Sequence, residues 1–282
     1  MVNTTATASQ LIQDQISTML VEPLEAASVV LAAGPTVFNS AEPLRIPTLT
    51  SFPDAGWVGE NEEIPSDGNA EFGEIPLMPT DRKSIKRIVR VSNELIRQAK
   101  TGVSTILQTK LVAATADALD DALLAGDGAD KTVTGILHQP GVTTAPMSVT
   151  DTDPFLDALA LAASKEVTPN RFILNGTDFY NLRKLKDNNG RYILQGGPAE
   201  GAPYTLFEVP VTATNKLPAG KGVLADMSQI AVVRDIDPQV TVLNERYSEF
   251  DQVGIRVTTR YDLGLLRPEG VILLDGATGA GE

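Results

Sequence analysis

The single histidine of this 282-residue chain, His138, restricts the catalysis that the sequence can support. A serine–histidine–acid triad would need this residue, yet it stands just before Gln139-Pro140-Gly141, and the chain has no G-x-S-x-G sequence. Cysteine is absent, which excludes thiolate nucleophiles, disulfides and thiolate metal sites. We therefore interpret His138 as a loop residue without a catalytic role.

Carboxylates are numerous around the end of a predicted helix, but they do not have the spacing of a calcium-binding loop. One histidine cannot form a histidine-type metal site, so no metal or cofactor is expected, and a fortuitous cation site is the alternative. The loop at 126–132 has the composition of a phosphate-binding loop without its G-x-x-x-x-G-K-[ST] spacing, and we interpret it as a helix stop. The aspartates concerned are Asp117, Asp120, Asp121, Asp127 and Asp130.

Two further features have both a chemical and a structural interpretation. Glu62 and Glu63 are paired carboxylates of the kind used in glycoside hydrolysis, but they fall on a predicted exposed turn without a cleft. Trp57, the only tryptophan, would either stack on a ligand or anchor an interface with a neighbouring copy. A soluble α/β enzyme is thus the remote alternative to a structural role.

The elements that carry these residues begin with a predicted hairpin. Two extended strands, at 44–57 and 72–91, flank a turn-rich tip at 61–73 that contains Pro65 and Asp67-Gly68. A two-stranded ribbon is only marginally stable alone, so it needs a partner surface. We predict that the hairpin contacts another copy of the chain.

Charges on this hairpin are segregated by sign: acids without bases surround the tip, and bases without acids follow on the second strand. These charges either form a solvated surface or pair with opposite charges on adjacent copies. In the second case they would fix the register between subunits more than they would raise the affinity of the contact. The residues predicted to contact other subunits are Trp57, Glu60, Glu62, Glu63, Phe72, Arg82, Lys83, Lys86, Arg87 and Arg90.

A long amphipathic helix is predicted next. It begins after Ser92 as N-cap, continues through a kink or break at Gly102, and ends at Gly126. Before the hairpin, the pattern indicates a short helix at 8–21 and a proline-rich extended segment at 34–52 that we expect to lie over a neighbouring subunit.

The remaining chain alternates helices and strands and then becomes rich in strands. Residues 135–223 are predicted to form a separate α/β domain, and the later strands are expected to pack against the long helix. The predicted helices are 153–164 and 176–186, and the predicted strands are 171–174, 204–211, 230–234, 240–247, 253–266 and 271–274.

The composition limits the kinds of partner that the chain can bind. The net charge of −13 opposes nonspecific affinity for nucleic acid, which depends on cationic side chains that displace counterions from phosphates. No apolar run approaches the roughly 18–20 residues that cross a bilayer, and the N-terminus lacks the pattern of a signal peptide. No membrane contact is therefore expected.

Several segments of the chain follow one another in a characteristic order: AGWVGENEEIP, EIPLMPTDRKSIKRIVRVSNELI, DALLAGDG, TGIL, RFILNGTDFYNLRKLKDNNGRYIL, FEVPV and RYDLGLLRPEGVILL. Taken in this order, they resemble tailed-phage major capsid proteins of the HK97-like fold. The resemblance extends from about Trp57 to Leu274 and implies an α+β fold with an N-terminal arm (1–52) and an extended β-hairpin loop (53–91). It further implies a peripheral domain with a long spine helix and a β-sheet (92–134 and 226–266) and an axial α/β domain (135–225 and 267–282).

The resemblance also implies a function. Such a protein self-assembles into pentamers and hexamers that form an icosahedral head around packaged double-stranded DNA. Its partners would be other copies of itself, a portal protein, packaged DNA held by weak contacts, and in some systems scaffold or decoration proteins. Assembly would take place in the host bacterial cytoplasm, and the product would be the virion capsid. An encapsulin-like cargo compartment, which has the same fold, is the alternative.

Some members of this family join their subunits by isopeptide bonds between a loop lysine and an asparagine in a late strand, beside a catalytic glutamate. Here residues 60–80 contain no lysine, and residues 252–260 contain neither asparagine nor glutamate. Lys83, Lys86 and Asn244 lie elsewhere in the sequence, so noncovalent contacts are expected. Because only about fifty residues precede the hairpin, a fused scaffold is not expected.

Overall fold

The computed structural model describes residues 24, 27–40, 42–51, 57–60, 71–78, 84–92, 94, 103–129, 132–187, 189–194, 204–243 and 245–276. Within these residues the α-helices are α1 (Val29–Ala32), α2 (Val103–Ala125), α3 (Asp153–Ser164) and α4 (Gly176–Leu182). The strands are β1 (Thr36–Asn39), β2 (Leu44–Ser51), β3 (Glu71–Leu77), β4 (Ile85–Ser92), β5 (Thr143–Pro146), β6 (Arg171–Asn175), β7 (Thr205–Leu206), β8 (Val209–Thr214), β9 (Lys221–Ala225), β10 (Ile230–Leu243), β11 (Gln252–Leu265) and β12 (Val271–Asp275).

These strands form three sheets. A four-stranded sheet has the order β1-β10-β11-β4, a six-stranded sheet has the order β5-β12-β9-β6-β8-β7, and β2 pairs with β3 alone. In the six-stranded sheet, β5, β12, β6 and β8 run in one direction and β9 runs against them. Both larger sheets mix parallel and antiparallel pairs, and the helices do not alternate regularly with parallel strands, which is an α+β architecture.

Alternation along the strands places a different core on each face of the two larger sheets. Helix α2 shares one core with one face of both sheets, because Leu119 packs with Ile173 of β6 and Val232 of β10. The opposite face of the six-stranded sheet packs on α3 and α4, and the opposite face of the four-stranded sheet packs on the base of the β2–β3 hairpin. Helix α2 is thus the element that joins the two sheets.

The buried side of α2 follows the helical repeat. Its buried positions recur three or four residues apart, which keeps one stripe of the helix against the sheets. The helix ends at Ala125, as predicted, where the chain passes close to itself: a Cβ atom at Gly126 would overlap the carbonyl oxygens of Ala122 and Val133. The buried residues of α2 are Leu111, Thr115, Ala116, Leu119, Asp120, Leu123 and Leu124.

The start of the predicted long helix differs from the structure. Ser92, the expected N-cap, is the last residue of β4, and the described helix begins at Val103. Residue 94 is helical, and the predicted kink at Gly102 lies outside the described residues.

The predicted second strand of the hairpin, at 72–91, is wrong as a single element. It divides into β3, which pairs with β2, and β4, which pairs with β11 of the four-stranded sheet. At the division, Met78 has a left-handed backbone with φ of 54° and donates its N–H to a carboxylate oxygen of Asp262 at 2.7 Å. The following residue, Pro79, has no N–H to continue a strand ladder, so the ribbon ends there.

The N-terminal segment also packs differently from the prediction. Instead of lying only over a neighbour, β1 pairs in parallel with β10 of its own chain, with Thr36 opposite Ala231. Val30 and Leu31 are buried against α2. These apolar side chains find their cover within the same chain, which fixes the segment from α1 to β1 on its own sheet. The predicted helix at 8–21 lies outside the described residues.

The helices and strands predicted for the middle of the chain are largely confirmed. Helix α3 has the predicted bounds, and β6, α4 and β12 lie where expected, although α4 ends four residues earlier. The predicted strand at 204–211 is instead the start of a hairpin, because Phe207 and Glu208 both adopt positive φ values, 50° and 69°, between β7 and β8. Positive φ at both central residues is the geometry of a tight two-residue turn.

Candidate assembly interface

The outer end of the β2–β3 hairpin exposes aromatic side chains. Phe72 of β3 is 77% exposed, and the side chain of Trp57, in the segment between the two strands, is fully exposed. Aromatic side chains of this size dominate binding energies when an interface covers them. The hairpin therefore offers two anchors that no described residue of its own chain covers.

The base of the same hairpin is fixed to its own sheet. Leu77 and Met78 are each 3% exposed and pack with Ala231 and Val233 of β10. Gly264 of β11 permits this approach, since a Cβ atom there would lie 2.6 Å from a methyl carbon of Leu77. Burial thus rises steeply along β3, from exposed Phe72 to buried Leu77.

The basic residues predicted for the hairpin lie on a different element. Lys86, Arg87 and Arg90 are exposed on β4, which is an edge strand of the four-stranded sheet. Arg90 lies over the ring of Tyr247, with 4.6 Å from the guanidinium carbon to the ring centroid. A charged edge discourages uncontrolled pairing of strands between molecules, while leaving a charged partner free to bind.

The acidic residues of the hairpin are less completely described. Glu60 is exposed, and Glu74, which opposes Pro47 across the ribbon, pairs with Arg45 of the same hairpin at 3.3 Å. Both members of that ion pair are largely exposed, so it contributes little to stability. Glu62, Glu63, Arg82 and Lys83 lie outside the described residues. The contact of all these residues with other subunits remains a prediction.

A buried carboxylate holds the N-terminal segment on α2. Asp120, 2% exposed, accepts hydrogen bonds from the Ser28 hydroxyl at 2.5 Å and from the backbone N–H groups of Val29 and Val30 at 2.8 and 3.2 Å. Burial raises the pKa of Asp120 above its usual range, although these donors and the nearby Lys216 ammonium lower it in part. The contact satisfies the free N–H groups at the start of α1.

A second charged contact joins α2 to the six-stranded sheet. Lys216, in the turn after β8, lies 3.3 Å from Asp117 and 3.4 Å from Asp121. Partial burial lowers the pKa of Lys216, but the two carboxylates outweigh it, so the pKa is raised overall. Three of the aspartates considered as cation ligands therefore serve to bind other parts of the chain.

The residues with catalytic interpretations take structural positions. The Nδ1 atom of His138 lies 3.0 Å from the carbonyl oxygen of Gly126, in the turn that follows α2. Asp127 caps its own loop by accepting from the Ala129 N–H at 2.9 Å and the Thr132 hydroxyl at 3.0 Å, which lower its pKa. Across the described ranges, no group of three histidine, cysteine or acidic side chains could hold a metal ion.

Sequence reasoning missed the Ser28–Asp120 and Lys216 contacts, because each joins residues about a hundred positions apart. The aspartates of α2 carried a signal: Asp120 falls within the apolar stripe of the helix, where an acid needs a buried partner. No pattern in the sequence named that partner.

The chain is similar in sequence and in fold to known proteins. Residues 8–276 match the profile of the Phage capsid family. The chain belongs to this family. The family is that of a structural protein, the capsid, and not of an enzyme. In the part of the chain that the structure describes, no helix is long and apolar enough to cross a membrane.

Two curated members of the phage capsid family show the extent of the match. The major capsid protein of Klebsiella oxytoca phage phiKO2 is 24% identical over 263 residues, which cover 83% of this chain and 60% of that protein. The major capsid protein of Enterobacteria phage HK97 is 26% identical over 249 residues, covering 86% and 63% respectively. The chain thus spans less than two thirds of the length of these relatives.

Solved capsid structures have the same fold. The capsid of a native GTA particle superposes with a TM-score of 0.71 at 19% identity and covers 88% of this chain and 89% of its own. A structure from Microbacterium phage Oxtober96 gives a TM-score of 0.72 at 18% identity, with coverage of 88% and 90%. The predicted HK97-like α+β fold is therefore confirmed.

Proposed function

We propose that the chain is a major capsid protein that assembles into pentamers and hexamers and forms an icosahedral head around packaged double-stranded DNA. Within this proposal, the four-stranded sheet and α2 belong to a peripheral domain, and the six-stranded sheet with α3 and α4 is the axial domain around each symmetry axis. The observation that carries it is the hairpin, whose base is buried in its own sheet while Trp57 and Phe72 at its outer end are exposed.

A closed shell of one chain requires contacts that are not self-complementary, in which one surface meets a different surface on the next copy. The hairpin suits such a contact, because its base is held in its own sheet while its exposed aromatic end is available to a different surface of the next copy. Portal, scaffold or decoration proteins would join the shell through contacts of their own, and assembly would take place in the host bacterial cytoplasm.

The direct test is to express the full chain in bacteria and examine the sedimenting fraction by electron microscopy. Closed megadalton particles with fivefold and sixfold positions are expected. A small oligomer that stays in the supernatant would contradict the proposal. Nuclease-protected double-stranded DNA in particles from infected cells supports a phage head, whereas a protein cargo without DNA indicates an encapsulin-like compartment.

The subunits of the proposed shell are held without isopeptide bonds. Lys86, the nearest described lysine to the hairpin, lies on β4 opposite Thr258 and not on the β2–β3 ribbon. Particles dissolved in hot detergent should therefore give a single band at the mass of one chain. A ladder of covalently joined chains in mass spectrometry would show that this part of the proposal is wrong.

A further inference from the structure

Helices α3 and α4 cover the same face of the six-stranded sheet at different ends. Helix α3 contacts β5 and β12, at one end of the strand order, while α4 contacts β6 and β8, near the other end. With strands about 4.8 Å apart, these two pairs of strands lie three spacings, or roughly 14 Å, from each other. The exposed sides of α3 and α4 are thus two separate surfaces.

The surface around α4, here the aromatic–basic surface, combines exposed rings with cations. Tyr180 and Tyr204 are 54% and 42% exposed, and each stacks on the same inner ring, Phe179, at 5.5 and 5.4 Å between centroids. The guanidinium carbon of Arg183 lies 4.5 Å from the centroid of Tyr204. The aromatic–basic surface consists of Tyr180, Arg183, Lys184, Lys186, Arg191, Tyr192 and Tyr204.

The cations of this surface lack partners of opposite charge in the described part of the chain. Lys184 bonds only to the Asn181 side-chain oxygen at 3.1 Å, and Lys186 lies over Tyr192 at 4.8 Å. Of the two acids in α4 and the turn after it, Asp178 is buried and accepts the Gly220 N–H at 2.6 Å, and the exposed Asp187 accepts from the backbone N–H groups of Asn189 and Arg191. The four bases of this surface together with Asp187 carry a charge of +3 on a chain whose net charge is −13.

The exposed side of α3, here the acidic surface, is the complement. Asp151, Asp153 and Asp157 are exposed, no base lies between residues 148 and 164, and Leu156 adds an apolar contact at 45% exposure. None of these three acids forms an ion pair with a described residue; Asp151 accepts the N–H of Asp153 at 3.2 Å. The acidic surface therefore carries −3 opposite the +3 of the aromatic–basic surface.

We infer that the aromatic–basic surface of one copy binds the acidic surface of the next copy around each symmetry axis. The occupant is a second copy of this chain, because the two surfaces have opposite charges and lie at opposite ends of one sheet. Contacts between different surfaces of identical units form a ring where the rotation from one copy to the next closes, and an open filament where it does not. This inference rests on the proposed function, since rings of five and six copies are part of that proposal.

Two charge-reversed chains test the contact. One carries Lys184→Glu and Lys186→Glu, and the other carries Asp151→Lys and Asp157→Lys. In either chain alone, both surfaces have the same sign, and like charges across an interface cost several kcal/mol. Each should retain its melting curve but yield at least about tenfold fewer rings in native mass spectrometry.

A mixture of the two chains makes the test specific. In a 1:1 mixture the chains alternate, so each contact again joins opposite charges. Alternation closes in a ring of six but not in a ring of five, where one like-charged contact must remain. Six-membered rings with three copies of each chain should therefore return, while five-membered rings stay absent. A chain with all four substitutions is the matched control, because its net charge is unchanged and its rings of both sizes should form.

The outcomes separate this inference from the proposed function. If the unsubstituted chain forms neither rings nor particles, the proposed function fails and the inference fails with it. If the unsubstituted chain assembles and either charge-reversed chain assembles equally well, or the mixture gives no rings, only the inference is overturned. Normal particles of the Lys184→Glu/Lys186→Glu chain that retain less DNA would assign the aromatic–basic surface to nucleic acid instead.

Discussion

Asp120 shows at the residue scale how a charge can be buried for a structural purpose. Its carboxylate replaces the water that would otherwise solvate the N–H groups of Val29 and Val30, and it fixes the N-terminal segment on α2. Because burial raises its pKa, the folded chain holds this proton more tightly than the unfolded chain does. The stability that Asp120 confers is therefore greatest at low pH and falls as pH rises through the raised pKa.

Asp120→Asn should lower the free energy of unfolding at neutral pH by about 1–3 kcal/mol, since the new amide would direct an N–H toward a donor from Val29 or Ser28. The deficit relative to the unsubstituted chain should widen as pH falls through the raised pKa, because only the acid takes up a proton. Urea unfolding at several pH values measures both effects.

Asp157→Asn, at an exposed position of α3, is the control and should change stability by less than about 0.5 kcal/mol. Equal stability of Asp120→Asn and the unsubstituted chain would contradict this role.

The Ser28–Asp120 contact also marks a limit of sequence reasoning. The spacing of Asp120 among apolar positions of α2 predicts its burial, but the sequence between residues 28 and 120 contains nothing that pairs the two. Local patterns report which side chains are buried, whereas the partner of a buried charge depends on how distant elements pack.

At the scale of elements, one alternating pattern forms two strands in different sheets: β3 pairs with β2 in the hairpin, and β4 pairs with β11. Alternation across 72–91 predicted one strand, yet the chain leaves the ribbon at Met78 and joins another sheet at Ile85. Conversely, two strands were predicted at 230–234 and 240–247, and β10 runs from Ile230 to Leu243 with register shifts on either side of Ile236. Bulges allow a proline inside a strand, so turn residues alone do not end one. Helix α3, with a proline in its first turn, was predicted with its bounds.

Trp57→Ser and Phe72→Ser test the hairpin as an assembly element. Because both side chains are exposed, each change should alter the free energy of unfolding by less than about 0.5 kcal/mol. Loss of an interface anchor costs about 2 kcal/mol or more, so particle yield should fall at least about tenfold. Sedimentation of particles measures the yield.

The matched control for the hairpin is Phe250→Ser. Phe250 is 69% exposed in the turn between β10 and β11, away from the hairpin. It should leave both stability and particle yield unchanged. Normal yields from the Trp57 and Phe72 variants would show that the exposed aromatic end of the hairpin is not an anchor.

At the scale of the whole molecule, the order of segments predicted the fold where composition did not. Charge and residue content indicated only a folded acidic protein, while the sequence of hairpin, long helix and strand-rich end predicted the HK97-like fold that the comparisons confirm. The surfaces on α3 and α4 were not predicted, because they depend on how the helices are placed on one sheet.

The net charge of −13 gives a prediction for DNA. The purified, unassembled chain should not bind duplex DNA at about 0.15 M salt, even at protein concentrations near 100 µM, because it releases few counterions on contact. An electrophoretic mobility shift titration measures this, with a basic DNA-binding protein as the positive control. Micromolar binding that weakens steeply with salt would show instead that a local basic surface overrides the net charge.

The buried base of the hairpin determines which part of the β2–β3 ribbon could bend when copies of this chain form a shell. Leu77 and Met78 are held in the same core as Val233, so displacement of the ribbon cannot begin there without opening that core. Farther out, the pairing of β2 with β3 shifts register between Leu49 and Ser51. A bulge weakens the ladder and lets a ribbon bend. Differences in the distance to successive neighbours should therefore be absorbed beyond this bulge, leaving the four-stranded sheet of every copy alike.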